Sequence, residues 1–288
     1  MTNTSSTRRL ARTLVVGLGV GAVAIAALAA DKKEYRYQVG AGASVSIANQ
    51  FGLITLHPAT GGQVLVTATP YTNKVEIDAN QNGNRVTLRT HFLQKATPEE
   101  GRVDYDLQVP PDASVTIRCA TGPVKVERMN GDIVVEGDTA PVEVHEVSNA
   151  HVHVRTVDGP ISLTDIRRGH VEITSVGGEV TLNNVGGNLV SVNTTGGNIH
   201  YQGDFATSGD YTMITHSGDI DVTLPAGSSV DVTARSVKGS VQNDFPLRPQ
   251  KHPTMSITQG KSFAGTSSTG ASSVRLRSFS GKIRVKKE

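Results

Sequence analysis

Between residues 115 and 201 the chain places two apolar side chains, two positions apart, once every nine or ten residues, and few folds accept so strict a pattern. The pairs are Val115/Ile117, Val124/Val126, Ile133/Val135, Val142/Val144, Val152/Val154, Ile161/Leu163, Val171/Ile173, Val180/Leu182, Val190/Val192 and Ile199/Tyr201. A spacing of two sends both side chains of a pair to one side of an extended strand, because strand side chains alternate. Alternate pairs keep the stricter register. Val124, Val142, Ile161, Val180 and Ile199 advance by 18, 19, 19 and 19 residues, and Ile133, Val152, Val171 and Val190 by 19 each time.

A coil of about 19 residues therefore carries two strands on opposite sides of a flattened tube, and successive coils pair in parallel. No single coil can bury its own apolar face, whereas a stack shares one interior. The predicted fold is all-β, a two-sided parallel β-solenoid. Gly122, Gly131, Gly159, Gly169, Gly178, Gly187 and Gly197 fall between the pairs and are expected to take left-handed turn conformations. A third apolar residue, at Met129, Val147, Val157, Ile166, Val176 and Val185, is expected to round the corner.

Residues 40–114 and 202–288 keep the spacing of two with irregular intervals, which predicts one solenoid domain over 40–288 with regular repeats at 115–201. About a dozen coils would make a rod on the order of 60 Å long. Segments 91–102 and 245–273 interrupt the pattern and are expected to be loops or end caps. Upstream, Arg8, Arg9 and Arg12 precede an uncharged stretch from Thr13 to Ala30 that ends Ala27-Leu28-Ala29. These are the parts of a signal peptide over 1–29 cleaved after Ala29, with 30–39 as linker. The alternative is a membrane anchor over 13–30. Both put the body outside the cytoplasm, in the periplasm, at the cell surface or beyond.

A net charge of +2 supplies no field to attract nucleic acid. Arg275, Arg277, Lys282, Arg284, Lys286 and Lys287 form a local basic run, read either as a terminal edge strand protected by charge or as a patch for an acidic surface such as phospholipid. The single cysteine, Cys119, excludes an internal disulfide framework.

The motifs Thr121-Gly122-Pro123-Val124, Val157-Asp158-Gly159-Pro160-Ile161, Val176-Gly177-Gly178-Glu179-Val180, Ser217-Gly218-Asp219-Ile220 and Phe279-Ser280-Gly281-Lys282-Ile283 give the chain a family resemblance. It resembles the adhesin-like family of bacterial envelope β-solenoid proteins, a domain of unknown function of the DUF4097 type. The resemblance covers roughly residues 40–288. It implies an envelope β-solenoid and carries over no catalytic residue.

Outward positions of stacked coils form ladders, so a site should consist of suitable residues 19 apart. One ladder runs Asp132, His151, His170, the residue types that ligate a transition metal. Another puts His153 beside Glu172 with Arg155 near, a set able to do acid-base chemistry. The alternative for both is a solvated polar exterior. No phosphate loop, serine-nucleophile motif or zinc-protease helix is present. The expectation is a noncatalytic exported protein without a cofactor, binding an envelope protein, glycan or membrane surface, with self-association through the solenoid ends as a further possibility. The competing expectations are a polysaccharide-degrading β-helix enzyme and a self-assembling structural element.

Overall fold

Buried and outward residues alternate along nearly every strand, because each apolar pair points into the tube and the polar residues between point out. The structure, a computed structural model, describes residues 32–205, 208–250 and 256–288. The expected leader and anchor lie outside the described residues.

The N-terminal strands are β1 (Lys33–Gln38), β2 (Ser44–Asn49), β3 (Ile54–Pro58), β4 (Gln63–Pro70), β5 (Val75–Asn82), β6 (Arg85–Phe92) and β7 (Val103–Val109). The regular body follows with β8 (Ser114–Cys119), β9 (Val124–Glu127), β10 (Ile133–Gly137), β11 (Val142–Ser148), β12 (His151–Thr156), β13 (Ile161–Ser175), β14 (Val180–Thr194) and β15 (Ile199–Gln202). Last come β16 (Asp210–Thr215), β17 (Ile220–Leu224), β18 (Val230–Ser236), β19 (Val241–Asn243), β20 (Arg248–Pro249), β21 (Ser262–Thr266), β22 (Ser272–Ser278) and β23 (Ile283–Lys287).

Face I stacks β6, β2, β8, β10, β12, the second halves of β13 and β14, then β16, β22 and β18, all parallel. Face II stacks β7, β3, β9, β11, the first halves of β13 and β14, then β15, β17, β23 and β19. The predicted ladders hold residue for residue: Val124 pairs Val142, Val142 pairs Ile161, Ile161 pairs Val180 and Val180 pairs Ile199. The inward side chains fill the tube. Ile117, Val135, Val154, Leu163, Leu182 and Val192 are all fully buried, each contributing about 1.5–3 kcal/mol of transfer free energy.

Stack order departs from sequence order at both ends. The first coil, β2–β3, lies between β6–β7 and β8–β9, and the last coil, β22–β23, lies between β16–β17 and β18–β19. The ends are closed by antiparallel strands: β5 on β6, β4 on β7 and β1 on β4 at one end, β21 on β18 and β20 on β21 at the other. Residues 33–38, expected in a linker, thus form β1. Because chain is spent on these caps, about ten coils stack, for a length near 45–50 Å rather than 60 Å.

The two corners differ. Between face I and face II, Gly159, Gly178, Gly197 and Gly218 follow buried Thr156, Ser175, Thr194 and Thr215 by three positions. These hydroxyls tie the corner: Thr194 donates to the Gly197 carbonyl at 2.8 Å, and the Gly218 N–H donates to Thr215 at 3.0 Å. These glycines do not take left-handed conformations. They are required because a Cβ at Gly178 would lie 2.1 Å from the carbonyl oxygen of Gly159 in the preceding coil. Left-handed φ values of 53° to 56° occur instead at the other corner, at Arg128, Glu146, Asp165 and Asn184, and turn Met129, Val147, Ile166 and Val185 into the core. Such residues cost about 1 kcal/mol each, moderated by Asn and Asp tolerating this region and by a hydrogen bond from Asn184 to Asp165. Val157 and Val176 lie at the glycine corner and are 48% and 51% exposed, not inward.

At the N-terminal end Asp104 of β7 accepts from Leu53 N–H at 2.9 Å, from Arg102 at 2.9 and 2.7 Å and from Tyr71 at 3.0 Å. Burial pushes its pKa up, but these donors and the guanidinium outweigh burial and hold it below the ordinary carboxylate value. A depressed folded pKa gives stability that is present above the unfolded pKa and lost as pH falls through the folded one. Asp104→Asn is therefore expected to cost about 1 kcal/mol at pH 7 and progressively less below about pH 4. Urea melts of both proteins across that range check it.

Candidate functional site

Strand alternation turns face I outward in three rows. In one row His151 of β12 and His170 of β13 are register partners, with Nε2 of the first 2.6 Å from Nδ1 of the second and the rings stacked at 4.5 Å. Asp132 Oδ1 accepts the backbone N–H of His151 at 3.0 Å. Among the described residues no group of three or more His, Cys, Asp or Glu side chains is placed to hold a metal ion. In the next row His153 Nδ1 lies 3.3 Å from Glu172 Oε2 across the same strand pair. Glu172 is exposed and His153 half-buried on the sheet. Arg155 is not with them. It belongs to the third row.

That third row runs Arg89, Ala48, Arg118, Glu136, Arg155 across β6, β2, β8, β10 and β12. It borders a concavity of about 770 Å³, whose lining includes Ala48, Cys119, Ala120 and Gly137. Small residues make the hollow. At the corner position where later coils carry Thr156, Ser175 and Thr194, these coils carry Asn49, Cys119 and Gly137. Arg118 donates to Glu136 at 2.7 Å, while Arg89 and Arg155 form no ion pair among the described residues.

Asn49, 3% exposed, donates through Nδ2 to the carbonyls of Phe51 and Val103 at 2.9 and 2.8 Å. Its Oδ1 is the one buried side-chain polar atom among the described residues without a partner. Burial, and secondarily the charge of Asp138, push the Cys119 thiol up to about 12, so it stays protonated and unreactive at neutral pH. Iodoacetamide at pH 8 is expected to label Cys119 at least ~100-fold more slowly in the native protein than in urea, as mass spectrometry of timed samples would show.

The basic run is not an edge. β22 and β23 lie inside the stack, and their charges meet carboxylates on the neighbouring coil. Arg275 pairs Asp210 at 2.5 Å, Arg284 pairs Asp221 and Asp219, and Lys286 lies 3.6 Å from Asp221. Three of the six basic side chains of the run, Arg275, Arg284 and Lys286, are paired in this way.

Residues 44–286 match the family described as Toastrack DUF4097. The chain belongs to that family. The Toastrack chain is similar in structure to a candidate cell adhesion protein from Clostridium sporogenes ATCC 15579, at 14% identity and a TM-score of 0.31, covering 89% of this chain and 100% of that one. It is also similar to a candidate adhesin from Bacteroides fragilis NCTC 9343, at 12% identity and a TM-score of 0.42, covering 89% and 97%. No curated protein sequence matches it.

Sequence spacing found the His151–His170 and His153–Glu172 neighbours of this Toastrack chain, but set Arg155 beside the second pair and not in the row with Arg118 and Glu136. It missed Arg89, Ala48 and Asn49. Their places depend on β2 entering the stack between β6 and β8, which no spacing announces.

Proposed function

We propose that the chain is a noncatalytic, exported envelope protein whose solenoid wall binds a partner in the manner of an adhesin. The observation that carries this reading is the distribution of surface. The tube is filled by its own side chains and both ends are covered by antiparallel strands, so the long lateral faces are the extended surface on offer. Face I bears the arginine row and its hollow. Stacked coils hold such rows rigidly, which lowers the ordering cost of binding. Export is supported by the basic, apolar and small-residue segments of the first thirty residues.

Two measurements test the proposal. In fractionated cells the mature protein should appear in the envelope or medium with a mass lacking residues 1–29, or membrane-bound with the segment kept; a cytoplasmic chain with an intact N-terminus contradicts export. On an array of envelope glycans, proteins and lipids the protein should retain a ligand without turnover, and His153→Ala with Glu172→Ala should leave retention unchanged. Release of oligosaccharide that disappears in this double variant would establish the enzyme instead.

A further inference from the structure

We propose that the hollow bordered by Arg89, Arg118 and Arg155 is a subsite for an acidic polysaccharide, specifically a chain carrying a carboxylate on alternate sugar rings. The inference rests on the binding role proposed above and names its ligand class.

The spacing of charge is the first argument. Ala48 lies between Arg89 and Arg118 in the row, and Glu136 lies between Arg118 and Arg155, so consecutive arginines stand two coils apart. Two coils span about 9.6 Å. A sugar ring advances an extended chain by about one coil spacing, so carboxylates on alternate rings recur at the arginine interval. An extended peptide repeats same-side side chains every ~6.7 Å and falls out of step. The guanidinium fork matches a carboxylate through two parallel N–H···O bonds. Arg89 and Arg155 are uncommitted to any ion pair among the described residues.

Interruption of the charge is the second argument. Glu136, bonded to Arg118, and Asp138 at the same hollow repel a densely charged polyanion. A ligand with neutral rings between its carboxylates avoids that repulsion. The third argument is the floor. Ala48, Cys119, Ala120 and Gly137 make room along the row for rings rather than for isolated ions.

The test uses the purified mature protein, titrated calorimetrically with hyaluronan decasaccharide, polygalacturonate of equal length, dextran and a poly-glutamate peptide. Hyaluronan is expected to bind, more weakly as salt rises, with polygalacturonate weaker and dextran and the peptide weaker still. Arg89→Ala combined with Arg155→Ala should reduce hyaluronan affinity by about tenfold or more with an unchanged melting curve. Arg235→Ala combined with Arg277→Ala, on the same row at the far end of the stack, should leave it unchanged. Equal binding by the Arg89/Arg155 variant, equal affinity for poly-glutamate, or no binding to either acidic glycan overturns the assignment. If the same protein still retains another envelope component, the broader binding role stands without it; turnover with no retained ligand removes both.

Discussion

Gly197→Ala should destabilise the solenoid by at least ~3 kcal/mol, at the upper end of overpacking costs, while Gly196→Ala, one residue away, should be neutral or slightly stabilising. A Cβ at Gly197 would sit 2.0 Å from the carbonyl oxygen of Gly178 and 2.9 Å from its carbon. Those are backbone atoms of the preceding coil. They cannot yield without breaking the coil pairing, and the Thr194 hydroxyl already bonds the Gly197 carbonyl that faces the next coil. A Cβ at Gly196 would meet nothing closer than 3.6 Å, an ordinary contact. Replacing a compatible glycine narrows the unfolded ensemble and stabilises by about 0.4–1 kcal/mol. Urea midpoints of the two variants decide it, and equal shifts would show that close approach is not what selects glycine at this corner.

The repeated pairs carried the strand positions, the inward faces and the register of the regular body, because a period of two and an advance of 18 or 19 are direct geometric statements. The corner glycines were visible but their reason was not: a left-handed turn and a forbidden Cβ leave the same letter in the sequence. Position-by-position spacing likewise could not separate Val147, which the left-handed Glu146 turns inward, from Val157, which the glycine corner leaves in solvent. Ladder reasoning joined His151 to His170, yet the bond from the His151 backbone N–H to Asp132 is one that spacing does not reveal. Arg89, Ala48 and Asn49 were out of reach for a different cause. Nothing in an apolar pair states which coil will be its neighbour, so the insertion of β2 between β6 and β8, and with it the hollow, becomes legible only in three dimensions.

The same insertion at the other end makes deletion of residues 272–288 far more damaging than loss of a last coil in a serial array. In a nearest-neighbour stack, removing the final unit costs one interface and leaves the preceding units folded. Here β22 lies between β16 and β18, and β23 between β17 and β19. Deletion strips β18 of its parallel partner and leaves β16 and β17 each with an exposed edge, a template for aggregation. Buried Val274, Leu276, Ile283 and Val285 are lost with it, about 6–12 kcal/mol of transfer free energy as an upper estimate. That rivals the whole stability of an ordinary domain. Hydrogen exchange should then show residues 230–243 and 262–266 unprotected while the regular coils of 115–201 keep their protection. A peptide spanning 268–288, added in trans, should restore the missing protection by supplying the two strands. Because β22 must find β16 across 63 positions of sequence, refolding of the intact chain should protect β18 and β19 no earlier than β22 and β23. Undiminished protection of 230–243 and 262–266 in the truncated chain would show that the last coil is an addition to the stack and not the piece that fastens its end.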